Sequence, residues 1–302
     1  MKLAAAPISW GVCEVPGWGA QVSNARVLND AAALGFRAIE AGPPGFLPAS
    51  VPESRRLLEG FGLRLIGGFV TAVLHDPSRR AAERDAVRRQ AEWLAALGAE
   101  VLVLAAATGA AGYEARPALD DRGWNALFAG IAEAEALARG AGLAVAVHPH
   151  VGTLIEGRDE VERFLAGSAA ALCLDTGHLF LGGADPVALA REAAGRIRHV
   201  HLKDVRATVA ARVRSGELSY AEGVKEGLYT ALGQGDLDIE GVHDRLRGAG
   251  YEGWFVLEQD TALTAEPEPH TGPAAAARQS LEYFRRVAGA IKTTSAIKED
   301  ER

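Results

Sequence analysis

Eight short apolar runs, each followed by a longer stretch of helical period, recur along the chain and restrict its fold more than any other feature. They are LAAAPIS from Leu3, RAIEA from Arg37, RLIGGFV from Arg64, VLVLAAA from Val101, LAVAVHP from Leu143, ALCLD from Ala171, IRHVHLK from Ile197 and WFVLEQ from Trp254. Most are apolar on both faces, as parallel strands buried between helices must be; antiparallel strands with one wet face alternate instead. Intervening stretches such as Pro77 to Leu97 and Trp124 to Arg139 are rich in Ala, Leu, Arg and Glu, all strong helix formers. Gly35, Gly62, Gly98, Gly142 and Gly250 each sit shortly before a strand, where glycine closes a helix in a left-handed conformation. Eight such units predict an α/β fold, a single closed (β/α)8 TIM barrel. An open doubly wound sheet gives the same local signals, but no GxGxxG follows the first strand.

The 302 residues suit one barrel domain, drawn at residues 1–290. Residues 291–302 are polar and charged without apolar periodicity and are expected to form a flexible tail. The longest interruption, from Val205 to Asp236 after the seventh strand, is charged, aromatic and glycine-containing, and is read as an active-site loop. A net charge of -7 would repel a phosphate backbone, so nucleic acid is not an expected partner. Cys13 and Cys173 fit no zinc spacing and read as reduced thiols. The first apolar run stops at Pro7 and Trp10, before it could form an export signal, and no stretch approaches the roughly 18 apolar residues of a membrane span. The expectation is a soluble cytoplasmic enzyme acting on a small molecule, without a membrane partner, for which a homodimer is compatible with the fold.

A barrel enzyme carries its chemistry at the C-terminal ends of its strands, where the βα loops converge. Five of the eight histidines meet that condition: His148 and His150 in HPHVGTLIEG, His178 in LDTGH, and His199 and His201 in HVHLKD. Asp175 closes the sixth strand, Lys203 and Asp204 leave the seventh, and Glu258 leaves the eighth in LEQD. Singly, each has an ordinary reading as a helix cap or a satisfied polar group. Together, Asp175, His201 and Glu258 on successive strands form a candidate site for one divalent metal: Mn²⁺ or Co²⁺ first, Mg²⁺ or Zn²⁺ as alternatives. His199 is expected to support a ligand or pack. Lys203 and Asp204 are either an ion pair at the rim or catalytic. Glu40 and Trp10 are candidate contacts to a polyol, since an indole face suits the C–H face of a ring. Trp18 either shields the site or caps the barrel, and Cys173 reads as core.

These motifs, with APISWGVCEVPGWG near the start and GYEGWFVLEQD near the end, resemble the xylose isomerase-like barrels, and among them the inosose dehydratases, from about Leu3 to Arg286. The resemblance implies a metal held by Asp175, His201 and Glu258, with His148 or Glu156 completing the set. Isomerases and epimerases of this superfamily typically carry a glutamate where this chain has His148, and ketose epimerases use two opposed glutamates to move a proton. That departure favours a lyase. The expected reaction is metal-dependent dehydration of a keto-polyol such as 2-keto-myo-inositol through an enediolate-like intermediate. Glu156, His150 or Lys203 is then the base, His178 the proton donor, and Trp10, Glu40, His150, His178 and Arg206 are substrate contacts. The alternative is a ketose or keto-inositol isomerase or epimerase on the same barrel. More distant are an apurinic endonuclease-like barrel and a non-catalytic sugar-binding one.

Overall fold

In the computed structural model, which describes residues 2–299, the eight apolar runs form eight parallel strands closed into a barrel. In order these are Lys2–Ala5, Ala38–Glu40, Arg64–Ala72, Val101–Ala106, Ala144–Val147, Ala171–Asp175, Ile197–Leu202 and Trp254–Leu257. Each pairs with the next in sequence, and the eighth closes on the first with Ala5 opposite Leu257. All five glycines read as helix closures have φ between 66° and 92°. The expected single barrel therefore holds strand by strand. The first strand is shorter than its apolar run, because Pro7 brings no N–H to a ladder and instead opens a 3-10 turn over Pro7–Trp10.

The period of two along each strand divides the core. Outward-facing Leu102, Leu104, Val145, Val147, Leu172 and Leu174 pack under helices such as Arg80–Ala96 and Asp121–Gly140 in the main cluster. Inward-facing residues form two smaller groups, one with Ala4, Ala38, Ile66 and Val256 and another with Val101, Val103, Ala146 and Cys173. Trp254 belongs to this interior set at the N-terminal end, where its Nε1 donates to Glu100 at 3.1 Å beneath Arg64. The same alternation turns His148, Asp175, His201 and Glu258 into the barrel mouth.

The segment from Val205 to Asp236 is ordered. It holds two short helices, Ala207–Arg214 and Tyr220–Lys225, and an antiparallel pair of Asp204–Val205 with Tyr229–Thr230. Asp204 fixes it by accepting backbone N–H bonds from Gly233, Gly235 and Leu237 at 2.8, 3.0 and 3.1 Å. The last helix runs Pro273–Glu299, past the boundary drawn at residue 290; residues 300–302 of the expected tail lie outside the described residues. No described helix is long and apolar enough to cross a membrane.

Candidate active site

Adjacent strands bring the polar ends together by register. Asp175 pairs with His201 across the sixth and seventh strands, and His201 pairs with Val256 on the eighth, so Glu258 lies two residues further toward the mouth. Asp175 is both a cap and a site residue. Its Oδ1 accepts the N–H groups of Gly177 and His178 at 2.9 Å each, starting the helix Thr176–Leu181. Its Oδ2 faces His148 Nε2 at 3.3 Å and His201 Nδ1 at 3.5 Å. His201 Nδ1 also lies 2.9 Å from Glu258 Oε2, yet neither atom is aligned for a hydrogen bond with any partner. Donor atoms of Asp175, His201 and Glu258 fall within 4.8 Å of one another. Buried donors crowded together without bonding one another could serve a common cation, and the nitrogen-and-oxygen donor set fits a divalent metal.

On the other edge of the His201 ring, Nε2 lies 3.2 Å from Glu40 Oε1, which also receives His199 Nε2 at 2.7 Å. A carboxylate on the far nitrogen of a ligating imidazole fixes its tautomer and orientation. Glu40, named from the sequence as a substrate contact, lines the cavity but commits this oxygen to the two histidines. Burial would raise its carboxyl; the charge of His201 and the imidazole hydrogen bonds hold it well below the usual range.

Lys203 is 2% exposed and turns inward, away from Asp204. Its Nζ stands 3.0 Å from Asp175 Oδ2, 3.1 Å from Glu258 Oε2, 3.0 Å from Asp260 Oδ1 and 3.0 Å from His178 Nε2. Burial opposes its charge, but Asp175, Asp260 and Glu258 outweigh that and keep the ammonium well above the ordinary lysine range. Against the burial that would raise it, the Glu258 carboxyl is brought down to about 2 by His201 and Lys203.

His150 carries its Nδ1–H to the Val151 carbonyl at 2.7 Å, which leaves Nε2 with a lone pair. Burial first, then the charges of His148 and Lys203, lower its pKa to about 4. It lines a cavity of about 490 Å³ that also meets His148, His201, Lys203, Glu258 and Asp260. His178 lies behind it, ring centroids 3.8 Å apart, and is not part of the cavity wall. Burial depresses its pKa too.

Three further residues named from the sequence stand outside the cluster. Glu156 accepts the Gly152 N–H at 2.6 Å and pairs with Arg116 Nε at 3.1 Å, so its carboxylate organises the loop after the fifth strand and His148 is the residue beside Asp175. Trp10 is 1% exposed within the core beneath the mouth. Arg206 is exposed, with its guanidinium toward the Gly227 carbonyl at 3.4 Å.

The structure adds residues that sequence reasoning passed over. Asp260 accepts a short hydrogen bond from Tyr220, whose hydroxyl lies 3.3 Å from that of Tyr229. Both tyrosines come from the segment after the seventh strand, which the sequence marked as an active-site loop while naming only Arg206 within it. Phe69 on the third strand and Tyr113 beyond the fourth flank His150 at centroid distances of 5.4 and 6.0 Å. Trp18 packs on Tyr113 and Tyr220 at 6.3 Å each and ties down through Nε1 to the Thr261 carbonyl at 2.8 Å. It therefore both shields the cavity and closes the barrel. For Asp260, the period of two from Glu258 was a usable signal; for Phe69 there was none.

A (β/α)8 barrel with inward imidazoles and carboxylates at its C-terminal mouth defines a class of metal-site enzymes. The chain belongs to the xylose isomerase-like TIM barrel family, which it matches over residues 28–287. It is 31% identical over 298 residues to the inosose dehydratase of Geobacillus kaustophilus, covering 95% of this chain and 94% of that one. It is 33% identical over 301 residues to the rhizopine catabolism protein MocC of Rhizobium meliloti, covering 96% and 89%. The solved structure of an L-ribulose 3-epimerase superposes with a TM-score of 0.71 at 16% identity, covering 98% of this chain and 97% of that one, a likeness of fold.

Proposed function

We propose that this protein is a metal-dependent lyase that removes water from a keto-polyol of the inosose type, such as 2-keto-myo-inositol. The observation that carries the reading is His148 at the fifth strand, beside Asp175, where the epimerases of the resemblance place a second glutamate. The nearest downstream carboxylate, Glu156, is tied to Gly152 and Arg116 instead. One member of the opposed carboxylate pair is therefore missing, and with it the symmetric proton exchange of an epimerase. Full-length similarity to an inosose dehydratase supports the same choice.

In this reading Asp175, His201 and Glu258 hold the metal, His148 completes the set, and Mn²⁺ or Co²⁺ suits the nitrogen-and-oxygen donors ahead of Zn²⁺ or Mg²⁺. The bound cation supplies Lewis-acid polarisation of the ketone. Glu40 and His199 hold the His201 ring in place. His150 Nε2, neutral and facing the cavity, takes the proton on the carbon next to the ketone. The C–H electrons form the C=C bond as the β-hydroxyl leaves. Lys203, on the wall with His178 behind it, gives that hydroxyl the proton it needs to depart as water. The rings of Phe69, Tyr113 and Trp18 keep bulk water from the reacting carbons.

The test is a mass-resolved assay of 2-keto-myo-inositol with protein stripped by a chelator and reloaded with Mn²⁺, Co²⁺, Mg²⁺ or Zn²⁺ in turn. Metal-dependent loss of one water is expected. A product of unchanged mass would replace the lyase with an isomerase, and an active metal-free His201→Ala variant would remove the metal from the scheme.

A further inference from the structure

Lys203 is a full positive charge placed among the very oxygens assigned to the metal. Its Nζ reaches Asp175 Oδ2 at 3.0 Å and Glu258 Oε2 at 3.1 Å, and it cannot withdraw to solvent. The stem runs past Gly177, where an added Cβ would come within 2.8 Å of Lys203 Cβ, and the ammonium stands 5.6 Å from the centre of the Tyr229 ring. Four carboxylates, Glu40, Asp175, Glu258 and Asp260, converge on Lys203 and His201. Buried like charges at such spacing repel, and removing the cation that compensates them is costly. Asp260 gives Lys203 a partner outside the assigned ligand set, at 3.0 Å, and is itself anchored by Tyr220.

We propose that the Lys203 ammonium is a built-in counter-cation: it shares Asp175 and Glu258 with the metal, holds the metal-free cluster together, and sets how tightly the metal is bound. Asp260 moderates it by drawing the ammonium toward itself. The inference rests on Asp175, His201 and Glu258 being the metal ligands. It gives two neighbouring substitutions opposite signs. Lys203→Met removes a repelling charge from the cation's surroundings and tightens binding. Asp260→Asn leaves Lys203 with less compensation and weakens binding. Packing damage would weaken both.

The experiment uses the full chain stripped of metal, titrated with Co²⁺ by visible absorption, and melted with and without Co²⁺. The expected result is binding by Lys203→Met at least about ten-fold tighter than wild type, since a buried unit charge acts strongly at this range. Its metal-free melting temperature should fall below that of the wild type and recover more on Co²⁺ addition. Asp260→Asn should bind more weakly. Unchanged or weaker binding by a folded Lys203→Met variant overturns the proposal, as does tighter binding by Asp260→Asn. If Lys203→Met folds only with Co²⁺ present, the proposal is supported; if it folds in neither condition, Lys203→Gln, uncharged but polar, takes its place in the titration, with tighter binding expected and unchanged or weaker binding overturning the proposal. A His201→Ala variant that binds Co²⁺ like the wild type would overturn the ligand set itself, and this inference with it.

Discussion

Glu40 offers the sharpest probe of the site because it touches His201 from behind. Its Oε1 takes His199 Nε2 at 2.7 Å and His201 Nε2 at 3.2 Å, and the residue is 4% exposed. Glu40→Gln keeps an oxygen acceptor of nearly the same shape and loses only the charge; Glu40→Ala loses both. Carboxylates behind a ligating imidazole are typically worth about 10–100-fold in metal affinity. Glu40→Gln should therefore bind Co²⁺ about ten-fold more weakly than wild type, and Glu40→Ala about 100-fold more weakly, at the two ends of that range. Glu40→Ala also strands two buried imidazole N–H groups, at roughly 1–3 kcal/mol each, so it should lose roughly 2–6 kcal/mol of stability. Co²⁺ titration by visible absorption measures the first effect and urea unfolding of the metal-free protein the second. A folded Glu40→Gln variant that binds Co²⁺ as tightly as wild type would refute the claim that Glu40 orients His201.

Three more predictions concern acid, packing and the loop at the mouth. Burial first lowers the His150 pKa to about 4, and burial also lowers those of His148, His178 and His199, so the unfolded chain binds more protons than the native one below an unfolded histidine value of about 6.5. That stability is full above about pH 6.5 and is lost as pH falls toward about 4; a melting temperature flat across the window would contradict it. Gly177→Ala places a Cβ 2.7 Å from the Tyr229 ring and 2.8 Å from Lys203 Cβ, so it should destabilise by about 1–3 kcal/mol, and a neutral result in urea unfolding would show that the seventh-strand exit is pliable. Glu156→Gln should raise KM with little change in metal affinity, because Glu156 braces Gly152 and Arg116; loss of bound Co²⁺ would return it to the ligand set.

The sequence by itself determined the barrel. Runs such as VLVLAAA are apolar on both faces, and only a parallel sheet covered by helices buries both, while the five closing glycines have the positive φ that their positions before strands implied. It also determined which side chains turn into the barrel, because alternation sends His199, His201 and Lys203 to one side and Val200, Leu202 and Asp204 to the other. What it left open was partnership. Lys203 and Asp204 are neighbours in the chain, yet one meets Asp175, Glu258 and Asp260 while the other holds the backbone of Gly233, Gly235 and Leu237. Glu156 and His148 were equal candidates for one place until tertiary contacts tied Glu156 to Gly152 and Arg116. Trp10 looked like a substrate platform, and the 3-10 turn opened by Pro7 buried it, leaving that face to Phe69, Tyr113 and Trp18. The physical reason is the same each time. Periodicity is a property of the local backbone and is written in consecutive residues, whereas the partner of a polar side chain depends on the register of strands and the course of loops far away in the chain.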